Sequence, residues 1–371
     1  MKQDDVPARH PPPPVKEALR ATDLKGSQVS RGRVTVRAIA AQTGLSIATV
    51  SRVINAHGQV SEDTRRRVQE AIEHLGGRAP ATRPRAPKTE LPVLVRCPYK
   101  LSDYFGALVT AVAEALAATG RQVLLDAGDS RVDMPVVRTL PTSRTTSGAI
   151  LILPPEPAED LRHLQTRGYP LVVVDPRTPV PRGVVSIASA HTAGARAVTG
   201  HLLELGHRRI GVVSGFEDWL SSSDRLAGHL AALSEAGLLG DPRLVRYGEP
   251  AIHTGIRGGG ELLDLPQAER PTAIACFNDK IAVGVYQAAA ERGLRVPDDL
   301  SVTGFDDSEI SRATAPMLTT VRQSLDEMGR IAVTMLVRLM EKQALDALHL
   351  ELATELIVRG STGPVPVGRV G

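Results

Sequence analysis

The sequence predicts an N-terminal all-α headpiece with helix-turn-helix spacing, followed by an α/β core of two doubly wound parallel-sheet lobes. Three observations carry this expectation. Between Val34 and Gly76, apolar residues recur at i, i+3 and i+4 in three short runs broken by turn residues. From Leu91 onward, short apolar runs alternate with amphipathic ones, the pattern of strands and helices in a parallel sheet. Basic charge is also concentrated: residues 31–88 hold eleven Lys or Arg against four Asp or Glu, a net of +7 in a chain whose total is +3. A polyanion partner is therefore expected for that segment alone.

Residues 1–32 carry four consecutive prolines and few apolar side chains, so they read as a tail without a core. The all-α unit is placed at 33–76. Thr35 can cap a first helix whose Val36, Ile39 and Ala40 share a face, and Gly44 ends it. A second helix follows after a short turn, with Ser46 as N-cap and Val50, Val53 and Ile54 as its apolar stripe. Ser46, Thr49, Ser51, Arg52 and Asn55 project from its other faces, a poor surface for packing and a good one for a nucleic-acid groove. Ser61 and Thr64 open a third helix whose buried stripe is Val68, Ala71, Ile72 and Leu75. Residues 77–90, rich in Pro and Arg, form a linker by composition; its Arg78, Arg83 and Arg85 suit either phosphate contact or simple solvation.

The core is placed at 91–362, with 363–371 as a second tail. LPVLVRC, RQVLLDA, GAILIL, PLVVVD and GVVSI read as strands, the first two flanking a helix from about Ser102 to Thr119. Further strands are expected in RRIGVVSG, RLVRYG, TAIACFN and LSVTGFDD, and helices in HTAGARAVTGHLLELG, SSDRLAGHLAALSEAG and DKIAVGVYQAAAERG. One lobe is expected at about 91–187 with 324–351, the other at about 188–323 with 352–362. Two such sheets in tandem place a ligand in the cleft outside their strand ends.

Several chemistries are disfavoured. Cys97 and Cys276 lie far apart in no CxxC pair, so no disulfide framework or zinc site is expected, in keeping with a reducing compartment. His201 and His207 are six apart and share no helix face, so no metal is expected there. The glycine-rich GIRGGGELL lacks the lysine of a phosphate loop, and neither a Ser-His-Asp grouping nor a carboxylate pair is identifiable from order and spacing. No cofactor is called for. The first residues have no apolar signal core and no run reaches membrane-spanning length, so a cytoplasmic, non-enzymatic protein is expected.

The run from Val34 and Thr35 through TVSRVIN to VSEDTRRRV and AIEHLG resembles the DNA-binding domain of the lac repressor family of bacterial transcription regulators. LGHRRIGVVSG, DRLAG, PTAIACFND, VPDDLSVTGFDDSEI, PMLTTVRQS and TELIVRGST resemble that family's ligand-binding core, which is itself similar to periplasmic sugar-binding proteins. The resemblance implies that Ile47, Ala48 and Arg52 read bases in the major groove, with Thr35, Ser46, Thr49, Ser51 and Asn55 in phosphate-contacting or supporting places. Arg52 suits a bidentate contact to guanine, whereas Ile47 and Ala48 offer only apolar contact, for instance to a thymine methyl. For the cleft it implies Asp175, Arg225, Asn278 and Asp306 as hydrogen-bonding residues and Phe105, Trp219 and Gln323 as walls, a set whose chemistry suits a polyol. Taken singly, Asp175 and Asp306 at strand ends, Asn278 before a helix and Arg225 on one each have an ordinary structural reading as turn, cap or surface charge. Residues 77–90 depart from the family, having Ala86 where relatives place a leucine wedge and Pro84 and Pro87 where they form a hinge helix. The implied partners are double-stranded operator DNA of two-fold symmetry, a second copy of the chain and a small carbohydrate effector. The alternatives are a sugar-binding receptor without DNA activity and a sugar-modifying enzyme, for which no catalytic grouping speaks.

Overall fold

The computed structural model describes residues 34–54, 60–75, 91–128, 137–140 and 144–365. Asn55, the tail of residues 1–32 and the linker of 77–90 lie outside the described residues, as does most of 363–371. The chain divides into two compact units, residues 1–88 and 89–371.

In the first unit, α1 (Val36–Thr43), α2 (Ile47–Ile54) and α3 (Glu62–His74) surround one small core. Each starts at a hydroxyl that satisfies an otherwise orphaned backbone N–H. Thr35 Oγ1 accepts from Ala38 N at 3.2 Å, Ser46 Oγ from Thr49 N at 3.1 Å and Ser61 Oγ from Thr64 N at 3.3 Å. Gly44 ends α1 at φ 67°, where a side chain would be strained, and the chain turns directly into α2. Ile39, Val50, Val68, Ala71 and Ile72 interlock at the centre, the Val and Ile side chains each contributing about 1.5–3 kcal/mol by leaving water. Arg67 reaches back from α3 to the Thr43 carbonyl at 2.8 Å, tying the third helix to the turn.

The second unit opens with β1 (Val93–Cys97), α4 (Asp103–Ala118), β2 (Val123–Ala127), β3 (Gly148–Ile152), α5 (Ala158–Thr166), β4 (Leu171–Val174) and β5 (Val185–Ser189). It continues with α6 (His191–Glu204), β6 (Ile210–Val213), α7 (Leu220–Glu235), β7 (Val245–Arg246), α8 (Ile252–Leu263), β8 (Ala273–Cys276), α9 (Asp279–Glu291), β9 (Ser301–Thr303), α10 (Glu309–Ala313) and β10 (Thr320–Arg322). Last come α11 (Leu325–Met340), β11 (His349–Leu352) and β12 (Glu355–Ile357). One sheet has the order β11-β5-β4-β3-β1-β2 and the other β7-β6-β8-β9, and every pairing in both is parallel.

Parallel strands covered on both faces need near-continuous apolar runs, and the central strands β1, β3 and β4 supply them, apart from Arg96. Val93, Val95, Ile150, Ile152, Val172 and Val174 face α4 and α11 through Leu108, Val112, Leu116, Met328 and Leu336. Their neighbours Leu94, Leu151 and Val173 face the other way, onto Leu161 and Leu164 of α5. The chain passes from one sheet to the other at Ala190, between β10 and α11, and between β11 and β12. The antiparallel pair of β10 and β12 lies at these crossings.

GIRGGGELL, a glycine cluster with no assigned role in the sequence, belongs to α8. A Cβ at Gly255 would stand 2.0 Å from the Ile281 carbonyl oxygen of α9, and one at Gly284 would stand 2.0 Å from that of Ile252. At Gly255 and Gly284 the absence of a side chain lets the two helix backbones touch.

Candidate functional site

In the first unit, α2 presents a surface that its own core does not use. Ile47 is 53% exposed, an apolar side chain at the start of a helix whose buried residue is Val50. Ala48 and Arg52 are exposed beside it, and no hydrogen bond or ion pair holds Arg52 among the described residues. Ser46 and Thr49 share a hydroxyl contact of 2.8 Å, so they are fixed in place; Thr35 is exposed and Ser51 half-buried. One unpaired guanidinium flanked by small or apolar side chains is a groove-facing arrangement.

In the second unit, a cavity of about 470 Å³ opens between the two sheets, lined by residues that follow the carboxyl ends of strands in both. Phe105, Asp175, Trp219, Arg225, Asn278 and Asp306 all line it. Gln323, expected as a wall, does not: its Nε2 donates to Asp306 Oδ1 at 2.7 Å, so it supports a lining residue from behind. The chain has only four Phe, five Tyr and one Trp, yet Tyr99, Tyr104, Phe105, Phe216, Trp219 and Phe277 meet at this one place. Tyr99 stacks on Phe105 with centroids 4.7 Å apart, and Trp219 meets Tyr99, Phe216 and Phe277 at 6.0, 5.2 and 6.4 Å.

The polar centre is built on two aspartates in left-handed backbone just past strand ends, Asp175 at φ 47° and Asp306 at φ 110°. Such strain turns the side chains out of the sheet and into the cleft. Their surroundings set them apart. Asp175 accepts from the Tyr104 hydroxyl, from Ser189 N at 3.3 Å and from His191 Nε2 at 3.1 Å. Burial works against its charge, but His191, Tyr104 and Arg225 outweigh that and hold its carboxyl below the usual range. Asp306 has the Gln323 amide and, at 3.9 Å, Arg225. Burial, with Asp279 and Asp175 nearby, outweighs those partners and pushes its carboxyl up to about 8.

Arg225, whose side chain is 10% exposed, lies between Phe277 and Phe305, its guanidinium carbon 4.2 and 3.7 Å from the ring centroids. It donates to the Phe277 carbonyl and, over 3.3–3.4 Å, to His191 Nδ1. Asn278 both lines the cavity and caps α9, its Oδ1 accepting from Ile281 N at 2.9 Å, which leaves its amide N–H₂ for a ligand or for the Pro250 carbonyl at 3.5 Å. At the rim, Lys280 of α9 meets Asp103 of α4 at 2.6 Å, and Arg177 meets Asp218 at 2.5 Å, each pair joining one lobe to the other. This is a polar centre in an aromatic box, able to hold hydroxyls at the middle and the C–H face of a ring at the walls.

The residues that sequence reasoning missed are Tyr99, Tyr104, Phe216, Phe277, His191 and Lys280. Most of them follow a strand or begin a helix, and that placement, with the scarcity of aromatics, was the available signal. Among the described residues no group of three or more His, Cys, Asp or Glu gathers to hold a metal ion.

Comparison with known proteins agrees with both units. Residues 35–76 match the model described as bacterial regulatory proteins, lacI family, and residues 199–362 match a periplasmic binding protein-like domain. The chain is 32% identical over 338 residues to the HTH-type transcriptional regulator CelR of Thermobifida fusca, covering 89% of this chain and 99% of that one. The chain belongs to the lacI family of bacterial regulatory proteins. The regulator is also 30% identical over 338 residues to the HTH-type transcriptional repressor CytR of Escherichia coli K12, covering 90% of this chain and 97% of that one. Among solved structures it is similar to a CelR–cellobiose complex, with TM-score 0.66, 30% identity and coverage of 89% and 100%. It is likewise similar to the lac repressor dimer bound to operator and the anti-inducer ONPF, with TM-score 0.67, 29% identity and coverage of 90% and 100%. The first unit is therefore the DNA-binding headpiece of a transcription regulator, and the second its ligand-binding-type core.

Proposed function

We propose that the regulator represses transcription by binding a two-fold symmetric operator as a homodimer, and that a carbohydrate effector in the cleft controls this binding. The single observation that carries the ligand half is the polar centre of Asp175, Arg225, Asn278 and Asp306 inside six aromatic rings. The CelR relative with cellobiose supports a sugar as the class, and the lac repressor dimer on operator supports the assembly. The headpiece is read as residues 33–76, the linker as 77–90 and the effector core as 91–362. Thr35, Ser46, Thr49 and Ser51 position the headpiece on phosphates, Arg52 reads guanine, and Ile47 and Ala48 press on thymine methyls. The protein works in the cytoplasm, where its operator is, and catalyses no reaction. No helix among the described residues is long and apolar enough to cross a membrane.

Effector binding shifts the balance between two arrangements of the lobes and so changes the spacing of the paired headpieces. The test combines a thermal-shift screen of hexoses, cello-oligosaccharides and nucleosides on the full chain with operator binding followed by fluorescence anisotropy. A sugar that raises the melting temperature and changes operator affinity is expected. A ligand that stabilises the core without moving operator affinity would refute the coupling, and a nucleoside as sole binder would refute the sugar assignment.

A further inference from the structure

His191 lines no part of the cavity, yet it stands where the two lobes and the cavity's polar centre are joined. It is the first residue of α6, directly after the first crossing between the sheets. Its ring is buried and its two nitrogens face opposite partners: Nε2 meets Asp175 Oδ1 of the first lobe at 3.1 Å, and Nδ1 meets Arg225 Nε and Nη2 of the second at 3.4 and 3.3 Å.

Those partners fix the hydrogen. A guanidinium has only donors, so Nδ1 must accept from it and Nε2 must carry the proton that goes to Asp175. Any other protonation of the ring sets N–H against N–H at Arg225. Phe305 completes the support, its ring 6.0 Å from the imidazole and directly beneath the Arg225 guanidinium. The hydrogen-bonded chain therefore runs from the Tyr104 hydroxyl through Asp175 and His191 to Arg225, joining the wall of one lobe to the wall of the other.

We propose that His191 is a positioning residue for effector capture: it aims the Arg225 guanidinium into the cleft and registers it against Asp175, so that a ligand meets both lobes as one prearranged site. This rests on the reading of the cleft as the effector site. A histidine present only to fill the core would affect stability and leave ligand affinity and ring tautomer unconstrained.

The experiment uses the full chain with His191→Leu, His191→Gln and Arg225→Ala, with cellobiose, glucose and galactose as calorimetric probes. A glutamine amide can accept from Arg225 and donate to Asp175, whereas leucine can do neither. His191→Leu is expected to weaken binding of whichever sugar the wild type takes by about tenfold or more, and His191→Gln to restore it to within about threefold. Wild-type affinity in His191→Leu, with binding lost in Arg225→Ala, overturns the proposal. Wild-type affinity in both overturns the assignment of the cleft instead. The imidazole nitrogen spectrum decides even if none of these sugars binds: one protonated Nε2 and one bare Nδ1, the latter shifting in Arg225→Ala, supports the proposal. Averaging tautomers, or a proton on Nδ1, overturns it.

Discussion

Asp306 and Asp175 are both largely enclosed carboxylates of one cleft, but Asp175 has three donors while Asp306 has one amide and a distant guanidinium. The pH dependence of stability should therefore trace to Asp306. Its carboxyl is raised to about 8 in the folded protein from an ordinary value of 3.8, so between those values the native state holds a proton that the unfolded chain has lost. The favourable contribution is complete at low pH and is lost as pH rises toward the folded value. Each pH unit inside the window costs about 1.4 kcal/mol, hence about 2 kcal/mol from about pH 5.5 to about pH 7. For a unit spanning residues 89–371, that lowers the melting midpoint by roughly 3–4 °C. Asp306→Asn keeps the shape and abolishes the titration, so its midpoint should fall less over the same interval by about that amount. Asp279, raised to about 6 by burial, pushes in the same direction, and because it and Asp306 repel each other, Asp306→Asn also eases its titration and reduces the variant's fall further. Thermal denaturation by circular dichroism at the two pH values measures the difference. Equal falls in both proteins, or a larger fall in the variant, would refute the reasoning.

Three further outcomes are expected. Arg52→Ala should abolish discrimination between operator and random DNA in anisotropy titrations while calorimetric ligand affinity stays unchanged; retained discrimination removes α2 as the reading element. Gly284→Ala forces a methyl to within 2.0 Å of the Ile252 carbonyl, so urea denaturation should show a loss of about 1–3 kcal/mol or more, and an unchanged midpoint would contradict the close crossing. Lys280→Ala removes a rim pair that is about one-third exposed, costing at most about 1 kcal/mol of stability. It should nonetheless loosen the cleft, seen as a larger radius of gyration in small-angle scattering, and an unchanged radius would show that the pair does not hold the lobes.

Much of this architecture was legible because parallel sheets demand apolar strands at regular intervals, and the chain displays them. Helix α8 was not, because three of its residues in a row are glycines, which by propensity argue against a helix; the facing backbone of α9 accounts for Gly255, and the tight side chains of Val213, Val285 and Arg292 for the run that follows. In the headpiece, Thr35, Ser46 and Ser61 announced their caps because capping is a local interaction within four residues. In the cleft, Arg225, Asn278 and Asp306 were legible because they sit in segments that resemble the family, and Asp175 because it ends a strand. Of the cleft walls, Phe105 and Trp219 were expected, but Tyr99, Phe216 and Phe277 were not: they follow three different strands, and nothing local says that they converge. Gln323 was misplaced by one shell of contacts, since spacing shows that a residue is near a site but not whether it faces the ligand or its neighbour. Arg225 on a helix looks like a surface charge in sequence, and two aromatic rings from distant segments make it an interior one.

The crossing of α8 and α9 has a mechanical side. Where Gly255 and Gly284 meet, neither helix can slide without the other, so Ile252 and His253 at the start of one and Lys280 at the start of the other travel as a single plate. A plate cannot absorb a ligand by deforming; it can only swing. Whatever work an effector does on this molecule must then be taken up at the three crossings between the sheets, which makes those few residues, rather than the cleft wall, the place where substitutions would alter the response without altering the fit.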